Sequence, residues 1–181
     1  MGRDKALVEV GGRALARIAA DALRDAGAGQ VFAVGGDRPA LEALGLRTVP
    51  DGWPGEGPLG GLVTALAAAT DDVVVVLSCD LPEIGPEAVA AVVEGLGDND
   101  AAIPVVAGRA QHLLAAWRRS RALVPLRAAF DGGERSIWRA AGALRTFPVT
   151  LRVPAWACDA DHADAWGLRP DRGVHTQQPP G

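Results

Sequence analysis

Asp80 closes the run Val73-Val74-Val75-Val76-Leu77-Ser78-Cys79 and is followed by Leu81-Pro82. Substrates and metal ions collect beyond the carboxyl ends of strands in open α/β sheets, so a carboxylate there stands where a ligand would sit. The plain alternative is a loop cap, since Asp is a common turn residue. A second candidate is the Gly- and Pro-rich stretch 51–61, which opens straight into an apolar helix expected at 62–69. The first N–H groups of a helix have no internal partners and can face a phosphate or other anion, although a merely connecting loop fits the same residues. Lys5 is the single lysine in a chain rich in Arg. Asp159 and Asp161 bring two carboxylates, one residue apart, into a turn entering a last helix, where either serves as N-cap.

These residues need a scaffold, and the spacing of apolar residues supplies one. The β-branched run 73–77 reads as a strand buried on both faces, the centre of a parallel sheet covered by helices. Before it, the pattern reads as a strand at 6–10, a turn at Gly11-Gly12, a helix from Arg13 to a stop at Gly27, a strand at 30–34, a short helix at 39–44 and a strand at 46–49. After it come a helix at 86–95, a strand at 101–106, an antiparallel strand near an edge at 111–117, helices at 118–130 and 136–141, and a strand at 144–149. Such alternation builds a doubly wound α/β sheet through right-handed crossovers. Residues 1–168 read as one domain, and 169–181, which lack apolar periodicity, as a disordered tail.

Composition narrows the function. A formal charge of −4, with Arg and Asp interspersed, argues against a nucleic-acid groove. Cys79 and Cys158 form no CxxC, so neither a disulfide framework nor a zinc centre is expected, and Cys79 reads as a core residue. No apolar run approaches a membrane span and no signal peptide is visible, so the expectation is a soluble, cytoplasmic protein with no membrane contact. No G-x-G-x-x-G follows a strand, which disfavours a dinucleotide-dependent oxidoreductase.

Four segments stand in a fixed order: Met1-Gly2-Arg3-Asp4-Lys5, Gly57-Pro58-Leu59-Gly60-Gly61, Cys79-Asp80-Leu81-Pro82 and Asp159-Ala160-Asp161. Together they resemble the nucleotidyltransferases that build molybdenum cofactor dinucleotides, most closely the molybdenum cofactor guanylyltransferase family. The resemblance covers about residues 1–166. It implies a Rossmann-like, doubly wound, mostly parallel sheet with helices on both faces, as in nucleotide-diphospho-sugar transferases. It also implies transfer of GMP from GTP to molybdenum-molybdopterin, giving molybdopterin guanine dinucleotide and pyrophosphate.

By the same resemblance Lys5 and Asp80 are the catalytic residues, and Gly2, Lys5, Asp51, Gly57, Pro58, Leu59, Gly60 and Asp80 contact the nucleotide. Asp80 with Asp161, or Asp159, holds Mg²⁺. The substrate's own phosphate attacks, so Ser78, Cys79 and the three His residues need no catalytic role. GTP and molybdopterin are the implied substrates, with transient contacts to molybdenum-insertion proteins and recipient molybdoenzymes. Three departures from the family pattern stand out. The Leu-Ala-Gly-Gly-x-Ser-x-Arg strand segment that precedes the first motif is not in the sequence, so the first central strand is expected to be missing. Gly35-Gly36 replaces a base-contacting Asn, and His162-Ala163 replaces Thr-Pro. The alternatives are a cytidylyltransferase of the same cofactor and a truncated, non-catalytic cofactor-binding paralogue.

Overall fold

The computed structural model describes residues 4–157. Asp159, Asp161, Gly2 and the expected tail lie outside them. Among the described residues nine strands and six helices follow one another, and the order of the larger elements matches the periodicity of the sequence.

The main sheet is built on β5 (Val73–Leu77), β8 (Leu114–Arg118), β6 (Ala101–Val106) and β9 (Thr146–Val149), side by side in that order. β8 runs antiparallel to both β5 and β6, whereas β9 runs parallel to β6, so β5, β6 and β9 share one direction. β8 was expected near an edge. It lies inside the sheet instead, because the turn after β7 (Arg109–Ala110), which pairs with the end of β6, folds it back between β6 and β5. β3 (Phe32–Val34) and β4 (Arg47–Val49) form a separate parallel pair. β1 (Glu9–Val10) and β2 (Arg13–Ala14) make a small hairpin.

The strand expected at 6–10 is shorter because Lys5–Leu7 coils into a 3-10 turn. The Asp4 carboxylate accepts the Ala6 N–H at 3.1 Å and so caps that turn. Gly11 and Gly12 then take φ of +59° and +76°, the paired positive values of a tight hairpin turn. Arg13 and Ala14 pair back, and the helix expected from Arg13 begins at Leu15.

Helices cover both faces. α1 (Leu15–Asp25) and α4 (Pro86–Leu96) pack with Val75, Leu77, Ala102, Leu114, Ala116 and Val149. α3 (Pro58–Ala68), α5 (Arg119–Asp131) and α6 (Ile137–Ala141) pack with Val74, Val76, Ala101, Ile103, Ala115 and Trp117. Odd and even residues of β5 thus face opposite layers, the period-2 signature of a strand between two helical sheets. A short α2 (Arg38–Ala43), capped by Asp37, joins β3 to β4 and seats Leu41 in a third small cluster with Ala6, Ala16, Ala20 and Leu46.

Two carboxylates tie surface elements together. Asp72, just ahead of β5, accepts the Ser120 N–H at 2.7 Å and so closes an open donor at the start of α5. Asp21 of α1 accepts from Arg13 of β2 and from Arg17 and Arg24 of its own helix, at 2.7, 2.9 and 3.1 Å. Burial pushes the Asp21 carboxyl up, but the hydrogen bonds from Arg17 and Arg13, the Arg17 charge and the bond from Arg24 outweigh it and hold the group below its ordinary value. A depressed carboxylate stabilises the fold above its unfolded pKa, near 3.9, and loses that contribution as pH falls through the folded value. Asp21→Asn should therefore cost about 1 kcal/mol at pH 7, after discounting for the solvent-facing arginines, and almost nothing at pH 2.5. Urea unfolding at both pH values checks this; equal losses would remove the ionic account.

Candidate functional site at the carboxyl ends of β3 and β5

Asp80 lies three residues past β5, half-buried, with one carboxylate oxygen accepting the Ser78 hydroxyl at 2.5 Å. Ser78 is itself fixed by its N–H, which donates to the Leu113 carbonyl at 2.7 Å. Ser78, which needs no catalytic role by resemblance, has a positioning one. It holds the Asp80 carboxylate, and a hydroxyl two residues before an acid at a strand end was the signal available for it.

Across the same corner, Asp4 pins the 3-10 turn that carries Lys5. Its second oxygen accepts the Asp37 N–H at 3.1 Å, so one carboxylate joins the turn to the end of β3 and the start of α2. Sequence inspection did not single out Asp4, because nothing local distinguishes it from an exposed loop acid. Both Asp4 oxygens are occupied by backbone donors, which makes it a clamp rather than a ligand. Asp4→Ala should leave two N–H groups without these partners, costing about 1–2 kcal/mol, or a midpoint lower by roughly 2–8 °C. Differential scanning calorimetry reads this directly; an unchanged midpoint would show that the turn is held by other contacts.

Cys79 reports how close these groups are. Burial pushes its thiol above the ordinary value, and the Asp80 and Asp4 charges push it further, against a backbone hydrogen bond and the Lys5 charge. Cys79 is half-buried and packs against the cluster of Ala6, Ala16, Ala20, Leu41 and Leu46. Asp80, Asp4 and the exposed Lys5 thus all lie near enough to Cys79 for their charges to act on it.

Asp51 follows β4. One of its oxygens accepts the Trp53 N–H at 3.0 Å and lies 3.4 Å from the Thr64 hydroxyl, so β4 is latched to the middle of α3. Thr64 also accepts the Gly52 N–H at 3.1 Å. A Cβ on Gly35 would stand 3.4 Å from the Asp51 Cβ, which places the turn after β3 against Asp51.

The sequence predicts a loop through Gly61 and a helix from 62, whereas α3 starts at Pro58. Gly57, at φ +89°, turns the chain, and proline at the first helical position gives up only a donor that would be unpaired anyway. Leu59 is fully buried and Gly60 stands against the Phe130 and Trp53 side chains, at 3.3 and 3.4 Å from an added Cβ. Their side-chain positions are thus packing positions, while Gly57 and Pro58 are exposed. Pro58 and Gly61 border the cleft that also meets Asp4, Gly35, Gly36, Ser78 and Cys79.

Gly35-Gly36, which departs from the family's Asn, has a local reason. Both residues take positive φ, +69° and +79°, and a Cβ on Gly36 would come within 3.0 Å of Leu41 and 3.3 Å of the Asp4 carboxylate. The close approach of Asp4 to this turn leaves no room for a side chain. Among the described residues no group of three or more His, Cys, Asp or Glu side chains could hold a metal ion. None of their helices is long and apolar enough to cross a membrane.

The MobA-like NTP transferase domain family matches residues 1–146. A probable molybdenum cofactor guanylyltransferase of Pelotomaculum thermopropionicum is 37% identical over 119 residues, 66% of this chain and 58% of that protein. The chain spans 56–60% of the length of the first curated relatives it matches. Among solved structures, molybdopterin-guanine dinucleotide biosynthesis protein A from Archaeoglobus fulgidus superposes with a TM-score of 0.63 at 25% identity, over 81% of this chain and 74% of that one. The 2-C-methyl-D-erythritol 4-phosphate cytidylyltransferase of Thermus thermophilus superposes with a TM-score of 0.71 at 20% identity, over 91% and 92%, and so shares the fold. With a family match over residues 1–146, the greater part of its length, the chain belongs to the MobA-like NTP transferase domain family.

Proposed function

We propose that this chain transfers GMP from GTP to the terminal phosphate of molybdopterin. An oxygen of that phosphate bonds to the α-phosphorus of GTP, the bond from that phosphorus to the bridging oxygen breaks, and pyrophosphate leaves. The observation that carries this reading is that Asp80, just past β5, and Lys5, on the clamped turn, both lie near enough to Cys79 for their charges to act on it.

Two phosphates repel, so positive charge must lie between the attacking and the attacked groups. A divalent ion such as Mg²⁺ supplies that charge when bound, and it needs only one or two carboxylates besides water and phosphate oxygens. Asp80 suits this: it is a hard-oxygen donor held by one hydroxyl on one oxygen. Asp161, or Asp159, would be the second carboxylate. Lys5 offers a point charge to the nucleotide phosphates and to the charge that develops on leaving pyrophosphate. Asp51, Gly57, Pro58 and the backbone of Leu59 and Gly60 border the nucleotide. The chain's own task is to orient: Ser78 aims the Asp80 carboxylate, and Asp4 fixes the turn carrying Lys5.

The test incubates the protein with Mg²⁺, molybdopterin and either GTP or CTP, and follows pyrophosphate and the dinucleotide. Product with GTP and little with CTP is expected. Product with CTP alone would assign the cytidylyl reaction, and molybdopterin binding without turnover of either nucleotide would assign a cofactor-binding role.

A further inference from the structure

We propose that Arg135 is a positioning residue for the nucleotide: acting through Glu56 and a stack of rings, it holds the turn at 53–57 and so sets the affinity for a nucleoside triphosphate without touching it. The inference rests on the reading that Gly57 and Pro58 border the nucleotide.

The turn needs holding because its own residues do not stiffen it. Between Trp53 and Pro58 the sequence is Pro-Gly-Glu-Gly, and Gly55 and Gly57 take φ of +80° and +89°. Released glycine explores more backbone conformations than any other residue, so ordering a turn of this composition carries a large entropic cost. The Glu56 N–H donates to the Trp53 carbonyl at 3.1 Å and closes the turn. Side chains at both ends add further restraint, and both lead to Arg135.

At one end the Glu56 carboxylate accepts from Arg135 Nε at 2.8 Å. At the other, the Trp53 ring meets the Phe130 ring, with centroids 4.8 Å apart and planes tilted by 52°, and the Arg135 guanidinium lies over Phe130 at 4.3 Å from its centroid. One cation thus serves both ends. Arg135 is itself fixed, since its Nη1 donates to the carbonyls of Phe130 and Glu134, each at 3.0 Å. A solvent-exposed ion pair alone contributes little, because two long side chains lose freedom in forming it. Here the planar guanidinium is already oriented by two carbonyls and a ring, so pairing with Glu56 costs less freedom. A Cβ on Gly57 would stand 3.8 Å from both the Cβ and the carbonyl oxygen of Arg135, so the clamp reaches the residue at which the chain turns into α3.

The effect on the reaction is specific. The clamp restrains the turn equally with a ground state or a transition state bound, so its loss is read in KM and leaves kcat nearly as it was.

The test compares the full chain with Glu56→Ala, Arg135→Gln and the double variant, using GTP and Mg²⁺. Glu56→Ala should raise both KM and the calorimetric Kd for GTP by about 5–10-fold, with kcat within about twofold and the midpoint within about 3 °C. The sign is diagnostic, because removing a negative charge near an anionic ligand would by charge alone tighten binding. Arg135→Gln should show a similar rise, and the double variant no more than the larger single one, since the same interaction is removed once. Exchange of the Glu56 amide without nucleotide should quicken by about tenfold in all three. Arg139→Gln, which removes a cation of α6 that pairs with Glu134, should leave every readout unchanged.

Tighter GTP binding by Glu56→Ala, additive losses in the double variant, faster Glu56 exchange with an unchanged Kd, or an equal loss in Arg139→Gln would each overturn the proposal. Binding of GTP without turnover would end the transfer reading and leave the Kd comparisons to decide this one. Normal turnover with an unchanged Kd in Glu56→Ala would end the clamp alone.

Discussion

Asp80→Asn should slow pyrophosphate release from GTP by about 10²–10³-fold and move the unfolding midpoint by no more than about 2 °C. Asparagine has the same shape, and its side-chain oxygen still accepts the Ser78 hydroxyl that meets Asp80 at 2.5 Å. What disappears is the charge that holds a divalent ion beside the phosphates, and with it the neutralisation of two approaching anions. Ser78→Ala provides the scale: it keeps the carboxylate but frees it to rotate, and a lost positioning bond of this kind costs about 10–100-fold in metal affinity or rate. A magnesium titration separates the two variants. Ser78→Ala should recover part of its rate at high Mg²⁺, because the ligand is still present, whereas Asp80→Asn should not. An Asn variant retaining more than a third of the rate would remove Asp80 from the metal site.

Trp117→Ala should have the largest effect on stability, about 3–5 kcal/mol, lowering the midpoint by roughly 6–20 °C. Trp117 is fully buried on β8, within the cluster that joins α3 and α5 to the sheet. Its truncation leaves a void among Leu66, Ala101, Ala122 and Leu126, which are held in place by their own helices and strands. Trp117→Phe should cost much less, under about 2 kcal/mol. Phenylalanine loses some apolar contact, but it also removes the indole N–H, which is buried with no hydrogen-bond partner among the described residues. An unpaired buried donor costs about 1–3 kcal/mol, comparable to the contact that is lost. Equal losses in the two variants, read by urea unfolding, would mean that the indole N–H has a partner such as a buried water.

Apolar spacing alone was enough to read most of the architecture. Ala88, Val89, Val92 and Leu96 mark one face of α4, and the alternation of Val74 and Val76 with Val75 and Leu77 marks a strand between two layers. Those patterns are local consequences of a 3.6-residue and a 2-residue period, so they survive in the sequence. The position of Asp80 at a strand end was legible for the same reason.

Placement between elements was not. Nothing near residues 111–117 says that this strand enters the sheet between β5 and β6, since pairing partners are chosen by contacts distant in sequence. The start of α3 at Pro58 depends on Gly57 turning at positive φ while Gly60 meets Phe130, seventy residues away. The role of Asp4 was hidden because its partners are split between the next turn and Asp37. The residue types alone determined which chemistry was on offer: one lysine, a strand-end carboxylate and a Gly- and Pro-rich stretch leading into a helix. Tertiary structure decided which residues meet, because a hydrogen bond or a charge acts over a short range, and only folding brings residues 4, 37 and 79 within it.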